Sequence, residues 1–78
     1  MKDLVIQIVK NIVDDPEAVS AREVEGEKTT MLEISAASSD IGKIIGRNGR
    51  TIKAIRTLLN AAGVRQGKRV TVEILDPK

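Results

Sequence analysis

Hydrophobic residues recur along this chain with two different periods, and the changes of period divide it into elements. Near the N-terminus the spacing is that of one face of an amphipathic helix. The apolar positions of this face are Leu4, Val5, Ile8, Val9, Ile12 and Val13. The segment Asp14-Asp15-Pro16 then predicts the end of the helix, because proline disfavours helical backbone in the residue before it.

The next segments alternate with the period of a strand. Residues 18–25 carry Val19 and Val24 among charged residues, and they predict a short edge strand. Glu25-Gly26-Glu27-Lys28 predicts a hairpin turn. A second strand with one buried face follows, since apolar and polar positions alternate along it. Its inward positions are Leu32, Ile34 and Ala36, and its outward positions are Met31, Glu33 and Ser35.

A helical period returns after residue 37. Ser38-Ser39-Asp40 is typical of a helix N-cap and predicts a short helix to about Ile45. After a glycine turn, a longer helix is predicted from about Arg50 to Ala62, with Gly63 just past its C-terminal end. Residues 65–69 form a basic loop before the last strand. In that strand Val70, Val72 and Ile74 alternate with Thr71, Glu73 and Leu75.

The order α-β-β-α-α-β predicts an α+β fold in two layers. The last two strands are separated by two helices, so they can be parallel neighbours, and the hairpin makes the first two antiparallel. We therefore expect a three-stranded mixed sheet with three helices on one face. The other face would be largely open to water. A length of 78 residues predicts one domain over residues 1–78.

The turn Gly46-Arg47-Asn48-Gly49 lies between two helical apolar segments. Two glycines three positions apart allow a tight turn and a close approach to a phosphate, because no Cβ stands in the way. The helix that follows offers free N–H groups and the positive end of its dipole. The alternative is a plain connector between helices.

Charge is segregated along the chain. Residues 41–72 contain eight basic residues and no acid, whereas the rest contains five basic and eleven acidic residues. The basic residues of this segment are Lys43, Arg47, Arg50, Lys53, Arg56, Arg65, Lys68 and Arg69. Such a local positive potential favours a polyanion, with nucleic acid first. A solvated helix face is the alternative, and Arg56 in particular suits the solvated back of the long helix.

Composition excludes several classes of function. Cysteine and histidine are absent, which removes thiolate metal sites, the usual general base and any Ser-His-Asp triad. The segment 63–69 lacks the spacing and the Ser/Thr of a P-loop, and Gly42, Gly46 and Gly49 fail the dinucleotide spacing. We therefore expect no enzyme, metal or cofactor. The longest apolar run, Leu4–Ile6, is too short for a membrane span, and no signal peptide is evident, so the cytoplasm is expected.

The motif and the element order together resemble the KH domain, and the arrangement resembles its type II form. The family's V-I-G-x-x-G-x-x-I core is matched by residues 44–52. The chain is most similar to the small bacterial single-KH RNA-binding proteins called KhpA. The absence of Phe, Tyr and Trp agrees with this resemblance, because RRM, OB and cold-shock proteins hold bases on aromatic rings.

The resemblance implies a groove for about four nucleotides of single-stranded RNA. It implies loop contacts from Gly46, Arg47, Asn48 and Gly49, and flanking contacts from Lys43, Arg50 and Lys53. An apolar floor would draw on Ile41, Ile44, Ile45 and Ile52. The alternative for these residues is the core, which Ile44, Ile45 and Ile52 suit better than a ligand contact, whereas Ile41 suits either.

Further contacts are expected outside this groove. Arg65, Lys68 and Arg69 are either a secondary RNA contact or a plain surface loop. The resemblance also implies a homodimer, or a heterodimer with KhpB, a larger Jag-like KH protein. Ala54, Leu58 and Ala61 are the candidate dimer face. The predicted function is that of a post-transcriptional regulator or RNA chaperone; the alternatives are a protein-interaction module and a ribosome-associated factor that contacts folded RNA.

Overall fold

The elements form two layers in the predicted order. The structure, a computed structural model, describes residues 1–75, so the last three residues of the predicted domain lie outside the described range. The helices and strands are α1 (Lys2–Lys10), β1 (Ser20–Glu25), β2 (Thr29–Ser35), α2 (Ile41–Ile45), α3 (Arg50–Val64) and β3 (Arg69–Ile74). Single 3-10 turns occur at Pro16–Ala18, Ser38–Asp40 and Arg47–Gly49. The predicted fold class is confirmed.

The sheet has the strand order β1-β2-β3, with β2 in the centre. Strands β1 and β2 pair antiparallel around the predicted hairpin, where the Gly26 N–H donates to the Thr29 carbonyl over 2.7 Å. Strands β2 and β3 pair in parallel, with Leu32 beside Val72. Both predicted pairings are confirmed, and each follows from the length of the connection.

The core lies between the sheet and the helices. Its buried apolar residues are Val5, Val9, Val19, Leu32, Ile34, Ala36, Ile44, Ile52, Ile55, Leu59, Val70 and Val72. On the other face of the sheet, Met31 pairs with Val24 on one side and Thr71 on the other. All three side chains are exposed, as predicted for an open face.

The first helix ends earlier than predicted. It stops at Lys10; the Asn11 N–H donates to the Ile8 carbonyl over 3.2 Å, and the Ile12 N–H donates to the Val9 carbonyl over 2.9 Å. Ile12 and Val13 have left the helix but still pack against the core. Ile12 and Val13 therefore continue the apolar period beyond the end of the helix, because they are apolar to pack against the core and not because they are helical.

The end of α3 also differs from the prediction. Gly63 is not the residue past the helix; it lies inside α3 and is buried. The left-handed residue is Gly67, with φ of 70°. The Lys68 N–H donates to the Gly63 carbonyl over 2.9 Å, and the Gly67 N–H donates to the Val64 carbonyl over 3.1 Å. These two bonds are those of a Schellman motif.

Side chains of α3 cover part of the free edge of β3. Arg56 Nη2 donates to the Val72 carbonyl over 3.2 Å, and Asn60 Oδ1 accepts the Val70 N–H over 3.2 Å. Unpaired strand edges invite pairing with other chains, so these bonds protect β3. Arg56 is exposed, as expected for a solvated side of the helix, but its guanidinium also reaches the sheet edge.

Candidate nucleic-acid interface

The glycine turn presents its two central residues to solvent. Gly46 has φ of 77° and ψ of 171°, a conformation open essentially to glycine alone. A Cβ built on Gly46 would lie 2.7 Å from the Thr51 Cβ, so a side chain is also excluded by space. Asn48 and Gly49 follow with φ of 57° and 73°. The result is a compact tip at which Arg47 and Asn48 are both exposed.

The turn leads directly into the N-terminus of α3. Gly49 is the N-cap residue and contributes no side chain to the first N–H groups of the helix. Its own N–H donates to the Gly46 carbonyl over 3.1 Å, which closes the turn. The N-terminal end of a helix of 15 residues carries a partial positive charge. The arrangement can therefore accept an anion beside Arg47 and Arg50.

The predicted basic residues fall into two groups. Arg47, Arg50 and Lys53 are exposed at the start of α3, and among residues 1–75 none of them forms an ion pair. The group of Arg65, Lys68 and Arg69 lies at the other end of the helix, about 20 Å away at 1.5 Å per residue. The fold does not bring this second group to the glycine turn.

The second group also differs in its pairing. Lys68 Nζ lies 3.2 Å from Glu25 Oε1, whereas Arg65 and Arg69 are exposed and form no ion pair with any described residue. The Arg69 N–H donates to the Lys28 carbonyl over 2.9 Å, which places the loop beside the β1–β2 hairpin. A contact there would be separate from the turn.

Lys43 is held by two carboxylates. Its Nζ lies 3.0 Å from Asp14 Oδ2 and 3.5 Å from Asp40 Oδ1. The hydrogen bond and the charge of Asp14 raise the pKa of Lys43 above its ordinary value; partial burial opposes this and Asp40 adds to it. Lys43 is therefore a firmly charged ammonium that is already paired, unlike Arg47, Arg50 and Lys53.

Asp40 occupies the N-cap position of α2, within the predicted Ser38-Ser39-Asp40 signal, but no side chain there makes a capping bond. It is 1% exposed, and its side chain makes no capping bond to α2. Its two oxygens instead accept the N–H groups of Asp14 and Asp15, over 3.2 and 3.0 Å. Burial raises the pKa of Asp40, but these two bonds and Lys43 outweigh it and hold the pKa below its ordinary value. The local sequence carries no signal for the two backbone bonds, because Asp14 and Asp15 lie 26 and 25 residues earlier in the chain.

Only part of the predicted apolar floor is accessible. Ile44 is fully buried and Ile52 is 7% exposed, so both belong to the core and cannot line a groove. Ile45 is 39% exposed, and Ile41 is partly buried at the start of α2. Of the four isoleucines, these two retain surface that a ligand can contact.

The outer side of α3 carries a shallow depression of about 520 Å³. Its lining residues are Arg50, Lys53, Ala54, Thr57 and Leu58. Leu58 is 57% exposed, and Ala61, one turn further on, is exposed as well. The predicted dimer face and two of the predicted RNA contacts thus share one surface, although the sequence predicted two separate sites. Thr57 also lines this surface and was not among the predicted site residues.

Two other kinds of feature are absent from the described residues. Across residues 1–75, no group of three or more Asp or Glu side chains comes together in a way that could hold a metal ion. In the same range, no helix combines the length and apolar character that a membrane crossing needs.

Comparison with known proteins gives a consistent result. The family model described as "KhpA/KhpB, KH domain" matches residues 2–74. A protein of Chlamydia pneumoniae named RNA-binding protein KhpA is 53% identical over all 78 residues of both chains. Proteins of the same name from Clostridium acetobutylicum and Borreliella burgdorferi are 49% and 50% identical, over 96% and 95% of this chain and 100% and 90% of theirs. No solved structure matches the chain significantly.

Proposed function

The chain belongs to the KH family that the KhpA/KhpB domain model describes, and from that premise we propose that it binds short single-stranded RNA at the glycine turn. Relatives that match over almost their whole length are named RNA-binding proteins. The proposed contacts are the turn residues 46–49, the basic residues Arg50 and Lys53, and the exposed surface of Ile41 and Ile45. Lys43, in α2 just before the turn, is the remaining proposed contact.

One observation carries the proposal: the exposed Arg47-Asn48 tip stands at the uncapped N-terminus of α3. A phosphate placed there would meet backbone N–H groups, the positive end of the helix and two arginines with no ion pair among the described residues. Since the chain has no aromatic residue, bases would be held by aliphatic surface and polar groups. We therefore expect weak binding at a single site.

The test is RNA binding by the variant Arg47→Asp with Asn48→Asp. Both residues are exposed, and aspartate tolerates the left-handed backbone of Asn48, so the fold should be retained. Affinity for a random single strand should fall at least about tenfold, equivalent to about 1.4 kcal/mol. The control, Arg22→Asp with Ser20→Asp, makes the same change of net charge on the open face of the sheet. It also removes the Arg22–Glu33 ion pair, so the melting temperatures of both variants are measured as well. Equal loss in both variants would reject the site.

Salt dependence gives a second readout of the same proposal. If roughly three phosphates are neutralised, the log–log slope of affinity against salt is about −2. Affinity then falls about 20-fold between about 50 and about 200 mM salt. A flat titration would favour a protein-interaction module, and preference for duplex or ribosomal RNA helices over single strands would favour contact with folded RNA.

The cellular role that this chemistry suits is non-enzymatic. A weak single-site binder of short single strands suits a cytoplasmic RNA chaperone or post-transcriptional regulator. The matching relatives, which are named RNA-binding proteins, and the match to the KH domain model support this role. Turnover of RNA by purified protein would contradict this role.

We also propose that the chain pairs through the outer side of α3, with a second copy or with a larger KH protein of the KhpB type. Leu58 is flanked by Ala54 and Ala61, which let two helices approach closely. Two linked grooves would gain avidity for long RNA. Leu58→Gln should give a folded monomer that binds long RNA more weakly and short RNA almost as before. Glutamate is less suitable at this position, because its carboxylate would lie in the same depression as Arg50 and Lys53.

Sedimentation decides between the two partners. A wild-type dimer at micromolar concentration that Leu58→Gln dissociates supports self-association. A wild-type monomer that binds a purified KhpB-type protein, and loses this binding in Leu58→Gln, supports the heterodimer. A monomer that binds neither contradicts the proposed face.

A further inference from the structure

A cluster of three charged side chains lies just before the glycine turn. Lys43, in α2, is bonded to Asp14 in the loop after α1 and to Asp40 at the start of α2. Together the three groups carry one more negative than positive charge. The only basic residue of α2 is therefore already neutralised.

The two carboxylates have different duties. Asp40 is buried and anchors the backbone of residues 14 and 15, and Lys43 is its counterion. The Asp14 side chain is 81% exposed, and its one polar contact among the described residues is with Lys43. The backbone N–H of Asp14, not its carboxylate, holds the loop. The fold therefore does not need the Asp14 carboxylate.

An exposed ion pair of this kind is weak and is screened by salt, so a phosphate can displace it. A phosphate that approaches Lys43 must compete with the Asp14 carboxylate for the same ammonium hydrogens. No such competitor faces Arg47 or Arg50 within the described part of the chain. The competition is therefore local to the α2 end of the groove.

We propose that Asp14 is a built-in competitor of RNA, whose carboxylate occupies Lys43 and so lowers the affinity of the groove and limits its phosphate contacts. This inference rests on the proposed RNA binding. It predicts that the chain binds RNA less tightly than its basic residues allow, and that a single neutral substitution releases one further phosphate contact.

The experiment compares Asp14→Asn with Asp15→Asn. Both variants remove one carboxylate from the same exposed loop and keep the backbone N–H that Asp40 accepts. Asp15 forms no ion pair with any residue in the range 1–75, so it controls for the general change of charge. One extra phosphate contact should make Asp14→Asn bind a short single strand about fivefold more tightly than Asp15→Asn at about 0.1 M salt, and steepen the salt slope by about 0.7.

A double-mutant cycle with Lys43 tests whether the gain in RNA affinity depends on the Lys43 ammonium. In a Lys43→Met background the advantage of Asp14→Asn over Asp15→Asn should disappear, whereas in a Lys43→Arg background it should persist. Should Lys43→Met fail to fold, because Asp40 loses its counterion, the salt slopes of the two aspartate variants and the arginine background decide the question.

The outcomes separate this inference from the proposed function. If the wild type binds RNA, and Asp14→Asn and Asp15→Asn have the same affinity and the same salt slope as each other, the proposed role of Asp14 is overturned. The proposed RNA binding then still stands. Failure of the wild type and of both variants to bind any RNA overturns both.

Discussion

Replacing Gly63 by alanine should destabilise the protein, although the same change usually stabilises a helix. Gly63 is buried inside α3, beside Val70 of β3. A Cβ built there would lie 2.6 Å from Val70 Cγ2 and 2.7 Å from the Lys68 carbonyl oxygen. Neither atom can move easily, because Val70 is 2% exposed and Lys68 is held by its N–H bond to Gly63.

The magnitude follows from two opposing effects. Alanine gains about 0.5–1 kcal/mol over glycine inside a helix. Forcing an extra methyl group into a packed site costs about 1–3 kcal/mol. The net loss for Gly63→Ala should therefore be roughly 1–2 kcal/mol. For a domain of this size that corresponds to a fall in Tm of about 5–15 °C.

Gly42→Ala is the matched control. Gly42 is exposed in α2, and nothing lies within 4 Å of a Cβ built there. The same chemical change should therefore raise stability by up to about 1 kcal/mol. The assay is urea unfolding followed by far-ultraviolet circular dichroism, since the chain has no Trp or Tyr for fluorescence. A Gly63→Ala protein as stable as the wild type would refute the close helix–strand approach.

Three further substitutions test other parts of the structure. Gly46→Ala should lose more stability in urea than Gly49→Ala. At Gly46 both the backbone conformation and Thr51 exclude a Cβ, whereas Gly49 has open space around it and alanine there costs only about 1–2 kcal/mol for its left-handed backbone. Equal losses of stability in the two variants would contradict the turn geometry. Arg56→Met should cost about 0.5–1.5 kcal/mol through its lost bond to the edge of β3, and an unchanged urea midpoint would mean that water replaces this bond fully. Asp40→Asn should be less stable than wild type at neutral pH. Because the folded pKa of Asp40 lies below the unfolded one, its contribution is present above about pH 4 and is lost as the pH falls through the folded value, so the difference in stability should narrow in acid. A constant difference would show that Asp40 does not contribute through its charge.

The sequence by itself determined the elements, their order and the position of the glycine turn. These features depend on residues close to one another along the chain: the two apolar periods, the hairpin turn and the spacing of Gly46 and Gly49. The parallel pairing of β2 and β3 followed from connection length alone. The exposure of Arg47 and Asn48 was predictable for the same reason, since a turn tip has no part in the core.

The tertiary structure decided which residues of these elements are already engaged in contacts within the protein. Gly63 could have ended the helix or allowed β3 to pack closely against it. Which of the two applies depends on the distance between α3 and β3, which no local pattern encodes. Whether Lys43 is free depends on Asp14, 29 positions earlier in the chain. Arg56 likewise found a carbonyl acceptor 16 residues away. Charge and hydrophobic period predict which element carries a side chain. Its bonding partner depends on contacts between distant parts of the sequence, which form only when the chain has folded.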